Sequence, residues 1–290
     1  MSHILAIGIA TLDIVNTVDH YPAEDEELRA SDQRVVPGGN AANSAWVLSQ
    51  LGHRVDLAAV LAREPDGERL AGLLSARGIG LEHCATREGR TPCSYITVNA
   101  RNGSRTIVHY RDLPELDAAH LAGVPVERMD WVHLEGRDGA ITGAMLRTLR
   151  ERLVDQPVSL EVEKERPGVD RLFGLPDVIL FSRPFARGRG FESAEAFLRD
   201  MGGRCRKTIL VCTWGEAGAW ARDGAGRLHH APAVSPPRVV DTLGAGDTFN
   251  AGLIHGLASG RTVPEALDFA VRLAGRKVGQ AGLDGLGGAS

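Results

Sequence analysis

The sequence lacks the two commonest nucleotide-binding loops. No Gly-X4-Gly-Lys-Ser/Thr occurs, and the first apolar stretch runs into Gly8-Ile9-Ala10-Thr11-Leu12-Asp13 rather than a Gly-X-Gly-X-X-Gly turn. A bound nucleotide would therefore need another backbone device. Clustered positive charge is missing as well. Net charge is −4 with no Lys/Arg run, which removes the electrostatic footprint of a nucleic-acid partner. The four cysteines, Cys84, Cys93, Cys205 and Cys212, show no Cys-X-X-Cys spacing, so they read as reduced thiols rather than a zinc site or disulfide frame. His229-His230 is an isolated pair and reads as solvated. No apolar run is long enough to cross a bilayer. The stretch from Ile4 to Leu12 has no basic flank and reads as a buried first strand, so no membrane partner is expected and the cytoplasm is the expected location.

The chain of 290 residues, 43% hydrophobic and 24% charged, has the composition of a soluble globular protein. Ile4–Ile9, Val55–Leu61, Trp131–Leu134, Val158–Val162, Val178–Phe181 and Thr208–Cys212 read as buried strands. Segments near 41–51, 67–76, 138–153, 192–202 and 263–280 read as helices. This alternation predicts one α/β domain over residues 1–290, a three-layer α/β/α sandwich around a mostly parallel sheet. Two segments, 13–37 and 92–112, break the rhythm. In the second, Asn102-Gly103 between β-rich runs predicts a hairpin. The two excursions could pair with each other as a small β lid. The glycine-rich tail, 282–290, reads as loosely ordered.

The chemistry centres on Asp241-Thr242-Leu243-Gly244-Ala245-Gly246-Asp247-Thr248-Phe249. Val239-Val240 before it reads as a strand end, and Leu253, Ile254 and Leu257 after it recur at helical spacing. Glycines at a helix start leave unpaired amides and a favourable dipole for an anion. Asp247 beside such a site suits phosphoryl transfer to a hydroxyl, with the carboxylate taking the proton. The same residues also suit an ordinary turn with an N-cap aspartate. A second cluster, Gly39-Asn40-Ala41-Ala42-Asn43, puts two amides on one helix face, where they could bind a polyol or where Asn40 could simply cap the helix. Asp13 ends the first strand and is placed to accept from vicinal hydroxyls or to turn the chain. Gly215 and Gly218 could line a flat base or form a β-turn, and Arg105 could meet phosphate or solvent.

Asp-Thr-Leu-Gly-Ala-Gly-Asp-Thr-Phe and Gly-Gly-Asn-X-X-Asn closely resemble the two signatures of the ribokinase-like (PfkB) carbohydrate kinases. The resemblance implies ATP as phosphoryl donor with Mg2+, Asp247 as catalytic base, and an anion hole from Gly244, Ala245 and Gly246. It implies sugar binding by Asp13, Gly39, Asn40 and Asn43, and ATP binding by Arg105, Gly215, Gly218, Gly244 and Gly246. Within the family the chain is most similar to the ketohexokinases, matching Tyr21–Asp25, Val132–Arg137, Val162–Lys164 and Pro236–Val240. That likeness implies a homodimer clasped through the lid, with the partner's residue at the position of Asp25 reaching the sugar. It also implies a monovalent cation, K+, near Asp241. The family's Asn-X-X-Glu is absent from Phe181–Ala186, which leaves the magnesium ligands open, and Val271 and Val278 replace two cysteines beside the adenine pocket. The sugar-side residues so named include no basic one and no aromatic platform, which favours an unphosphorylated sugar over a sugar phosphate or a nucleoside; the likeness to the ketohexokinases then implies a ketohexose such as fructose, phosphorylated at a primary hydroxyl. The alternatives are a ribokinase- or nucleoside-type kinase of the same fold, or a non-catalytic sugar or nucleotide binder.

Overall fold

The computed structural model describes residues 1–205 and 207–288. In chain order its elements are β1 (His3–Ile7), β2 (Thr11–Val18), β3 (Asp32–Gly38), α1 (Asn40–Gln50), β4 (Arg54–Ala58), β5 (Val60–Ala62), α2 (Pro65–Ser75), β6 (Ile79–Gly80), β7 (Ala85–Arg87), β8 (Cys93–Asn99), β9 (Arg105–Tyr110), α3 (Ala118–Ala122), β10 (Trp131–Glu135), α4 (Gly139–Arg152), β11 (Val158–Val162), β12 (Val178–Phe181), α5 (Arg183–Gly188), α6 (Ala194–Arg204), β13 (Ile209–Thr213), β14 (Ala219–Arg222), β15 (Leu228–Ala231), α7 (Ala245–Ala258) and α8 (Val263–Val278). The central sheet runs β15-β14-β13-β12-β11-β10-β1-β4-β6. It is parallel from β13 through β6, and β14 and β15 close one edge antiparallel.

Both faces of this sheet are apolar because its strands are apolar at successive positions. Along β1, Ile4 and Ala6 pack with α1, α7 and α8 through residues such as Trp46, Phe249, Leu253 and Leu273. Leu5 and Ile7 pack on the other side with α4 and α6 through Leu146, Leu149, Phe197 and Met201. Pleating sends alternate side chains to opposite faces, and this produces the three layers.

Strands of the two excursions do pair. A second sheet runs β3-β2-β8-β9, with β2 parallel to β8 from Leu12↔Cys93 to Val18↔Asn99. The Asn102-Gly103 turn joins β8 to β9, and the Asn102 Oδ1 accepts from the Ser104 amide at 2.9 Å.

Three local expectations are corrected. The Val55–Leu61 strand divides into β4 and β5, the second pairing with β7. Val239-Val240 is not strand. The pair is exposed, and its chain is held by the Val240 amide donating to the Val278 carbonyl at 2.8 Å. The tail is anchored as far as it is described, with its last two residues, 289–290, outside the described residues: Leu283 and Leu286 are buried, and the Gln50 side chain bonds the Leu283 carbonyl and the Leu286 amide at 2.8 and 3.0 Å. Two leucines among glycines were enough to seat it on α1.

Candidate active site

Parallel strands aim their carboxyl ends at one rim, and the site lies there. A cavity of about 470 Å³ opens between that rim and the inner face of the small sheet. Asp13, Gly39, Asn40, Asn43, Arg105, Gly244, Gly246 and Asp247 all line it. Alternation along β9 explains the wall supplied by the small sheet. Arg105, Ile107 and His109 face the cavity, and their neighbours in sequence face away.

Asp247 lies in the first turn of α7, behind Gly244 at the N-cap. Gly244 takes φ +76°, a left-handed conformation natural to glycine, which turns the chain into the helix. Asp247 is buried and accepts a 2.7 Å hydrogen bond from the Asn43 Nδ2. Burial raises its pKa to about 7, the Asn43 bond opposes this, and the nearby Glu163, Glu135 and Asp13 carboxylates push it further up. A base near neutrality suits proton abstraction at physiological pH. The anion hole differs slightly from expectation. The Ala245 amide already meets the Thr242 carbonyl at 3.3 Å. Among the described residues no acceptor meets the amides of Gly244, Gly246 and Asp247, so these are left for an anion.

Gly39 caps α1 with φ +94°, and a Cβ there would sit 2.4 Å from the Ile9 carbonyl oxygen. Asn40 is thus the first helical residue and not the cap. Its Nδ2 donates to the Glu161 carboxylate at 3.2 and 3.3 Å. Asp13 does not end the first strand, which stops at Ile7; it lies within β2 of the small sheet, paired with Ser94 on β8. It is buried, which raises its pKa, while hydrogen bonds from Thr11 and Ser94 oppose the shift. The expected sugar ligands therefore converge, each amide engaged with a carboxylate.

Glu135 and Glu161 belong to the site although no role was read for them from sequence. Glu135 ends β10 and accepts from the Ile9 amide at 3.0 Å and from Arg137 at 2.8 Å. Glu161, on β11, accepts from Asn40 and from the Asn250 Nδ2 at 3.0 Å, and burial with the Asp247, Glu135 and Glu163 charges drives its pKa well up. A glutamate inside an apolar strand was the available signal, because a buried charge needs a purpose or a partner. These carboxylates stand where Phe181–Ala186 offers none. Arg137, Lys164 and Arg166 also line the cavity, so it is less free of basic residues than the sequence suggested. Arg137 is paired with Glu135 and Glu115, and Lys164 with Glu163 at 3.4 Å.

A second cavity, of about 400 Å³, runs along Gly215, Gly218, Val234, Val271, Gly275 and Val278. Its walls are mostly small and apolar, fit for a flat ring. Thr213 and Gly246 line both cavities. Arg105 donates to the Thr242 hydroxyl, tying β9 to the chain ahead of the anion site. Asp25 lies outside, exposed on the β2–β3 loop. Asp241 does not present an open carboxylate to a dissolved cation. Lys277 lies 3.2 Å and Arg34 3.1 Å from its Oδ2. Burial would raise its pKa, but Lys277 and the Gly282 and Leu243 amides outweigh that and hold it low.

Comparison with known proteins agrees with this geometry. A profile described as "pfkB family carbohydrate kinase" matches residues 1–285. The chain is 42% identical to the ketohexokinase of Mus musculus, over 98% of each chain. It is 25% identical to the ribokinase of Bacillus subtilis, over 98% of this chain and 96% of that one. The structure of Arabidopsis thaliana ribokinase complexed with ribose and ATP superposes with a TM-score of 0.79 at 21% identity, covering 97% of this chain and 94% of that one.

Proposed function

Because the chain belongs to the pfkB family of carbohydrate kinases, we propose that it transfers the γ-phosphoryl group of ATP to a primary hydroxyl of an unphosphorylated ketohexose, with fructose as first substrate. The observation that carries this reading is Asp247, buried at a helix N-terminus on the seam between a polar cavity and an apolar one. The sugar occupies the polar cavity, with its hydroxyls on Asp13, Asn40 and Asn43. ATP lies along Gly215 and Gly218 with its γ-phosphate at the Gly244, Gly246 and Asp247 amides. Asp247 takes the hydroxyl proton as the oxygen attacks phosphorus, and Arg105 offsets phosphate charge.

Magnesium arrives with ATP. The hard oxygen donors suited to it are Glu161 and Glu163, whose carboxylates line the sugar cavity beside Asp247. The ion would offset negative charge on the phosphates. Potassium is not part of this reading, because Asp241 is already neutralised by two cations. No helix among the described residues is long and apolar enough to cross a membrane. Four free cysteines and the need for ATP fit the cytoplasm.

The small sheet supports a homodimer. Tyr95, Val108 and Tyr110 are at least half exposed on β8 and β9, and β9 is an edge strand. An apolar edge of this kind needs a cover, and a second lid supplies one. The partner's residue at the position of Asp25 would then reach the sugar.

Lys164 and Arg166 at the cavity favour a second reading, a sugar already carrying phosphate. ADP release with fructose, ribose, fructose 6-phosphate and adenosine decides among them. Fructose should give the highest kcat/KM. If it trails another acceptor by about tenfold, roughly 1.4 kcal/mol of transition-state binding, the ketohexose assignment is wrong. If none releases ADP, the kinase reading itself falls and a binding protein is left.

A further inference from the structure

The chain has only three lysines among its 33 basic residues, and one of them, Lys277, is wholly buried. An ammonium loses its hydration on burial and is tolerated only where oxygens replace the lost water. At Lys277 they do. Its Nζ donates to the backbone carbonyl of Asp241 at 2.9 Å, meets the Asp241 carboxylate at 3.2 Å, and reaches the Gln280 carbonyl at 3.4 Å. The same carboxylate accepts from the amides of Leu243 and Gly282 at 2.9 and 3.0 Å and from Arg34. Lys277 sits near the end of α8, so one ammonium clamps that end of the helix to the segment that enters the Gly244 turn.

This is a ligand set for a compact hard cation: one carboxylate and two carbonyls, none basic enough to demand a proton. The donors of a guanidinium diverge in a plane, whereas an ammonium directs three donors from a single atom, which suits so compact a set of oxygens and fits a lysine here in a chain that mostly uses arginine. The position matters for chemistry. Asp241 lies three residues before Gly244, and an unneutralised carboxylate there would repel the incoming phosphate and leave the anion-hole turn held from one side only.

We propose that Lys277 is a built-in counter-cation, a positioning residue whose ammonium fixes the Asp241–Gly244 turn, so that the anion hole works without a dissolved monovalent cation. The proposal rests on the kinase reading. Arg34 extends it to the small sheet, because β3 delivers the second positive charge to the same carboxylate.

The test begins with the intact enzyme. Its kcat should agree within about twofold in potassium, sodium and tetramethylammonium chloride at equal ionic strength. Stimulation by potassium of about tenfold would overturn the proposal. Lys277→Ala should lower kcat by about tenfold or more with little change in sugar KM, the pattern of a lost transition-state interaction. Potassium or methylammonium, entering the vacated oxygen cage, should restore much of that loss, and tetramethylammonium, too large for it, should not. Lys277→Met fills the space without charge and should not be restored by either ion. An alanine variant with unchanged kcat, or with a loss indifferent to the added cation, would also refute the role. Thermal unfolding gives a readout independent of turnover: potassium should raise the melting temperature of Lys277→Ala more than that of the wild type. Equal shifts would count against the cage even if the protein phosphorylated no sugar, which separates failure here from failure of the kinase reading.

Discussion

The central sheet and the small sheet use the same alternation of side chains to opposite ends. Along β1, β10 and β11 almost every position is buried, and buried charges among them, Glu135 and Glu161, mark the functional rim. Along β9 every residue is exposed, one face toward the cavity and the other toward solvent with Val108 and Tyr110. The first sheet has enough apolar cover to keep carboxylates dry, and a dry carboxylate has a raised pKa. The second has too little cover to be a core of its own, which suits a wall that admits substrate and then excludes water. Buried carboxylates and the wall facing them are thus assigned to different sheets.

The sharpest way to break this comparison is to disable the rigid side alone. Asp247→Asn should retain the fold and sugar binding while kcat falls by about two to four orders of magnitude, the range for a lost general base. Turnover near that of the wild type would remove Asp247 from the role. On the covering side, Arg105→Ala should raise the KM for ATP by about tenfold and leave the sugar KM nearly unchanged, as expected for a lost charge-assisted phosphate contact. Equal losses for both substrates would instead describe a wall that has merely loosened. Val108→Glu should put charge on the outward face and halve the mass seen by light scattering, because a buried unpaired carboxylate opposes association. A wild-type protein that is monomeric and fully active would dispose of the lid clasp.

The smallest expected effect is a displacement in pH. As the proposed base, Asp247 acts only when ionised, and burial among carboxylates raises its pKa to about 7, so kcat/KM should fall on the acid side with a limb near that value. Removing one neighbouring negative charge makes ionisation easier. Glu163→Gln should therefore move the limb to lower pH, by about one unit or less for a partly solvated neighbour. A limb that stays in place would mean that burial alone sets the base.

Much of the frame and of the site could be read along the chain. Buried parallel strands announce themselves as apolar runs, and the glycines and asparagines at Gly39–Asn43 and Gly244–Asp247 sit at helix starts, where local rules apply. What escaped was non-local. Val239-Val240 has strand-like side chains, but a strand needs a neighbour, and the Val240 amide finds a helix end instead. Leu283 and Leu286 gain their burial from α1, more than two hundred residues earlier in sequence. Glu135 and Glu161 were visible as charges in apolar strands, but their convergence on Asp247 depends on strand order, which no local pattern specifies. Asp241 is the instructive case. A carboxylate before a glycine turn looks free in sequence, and only the fold brings Lys277 and Arg34 to it.

The wall common to the two cavities has a consequence for stereochemistry. Gly246 and Thr213 line both sides, so on the proposed reading donor and acceptor meet at this wall, one from each cavity. Gly246 has no side chain to carry a phosphoryl group part of the way, and in the proposed role Asp247 takes the proton instead. The phosphorus would then be attacked once, in line, by the sugar oxygen as ADP departs. A γ-phosphate made chiral with oxygen isotopes would leave this enzyme with its handedness inverted, because a single displacement turns the three remaining oxygens through like the ribs of an umbrella.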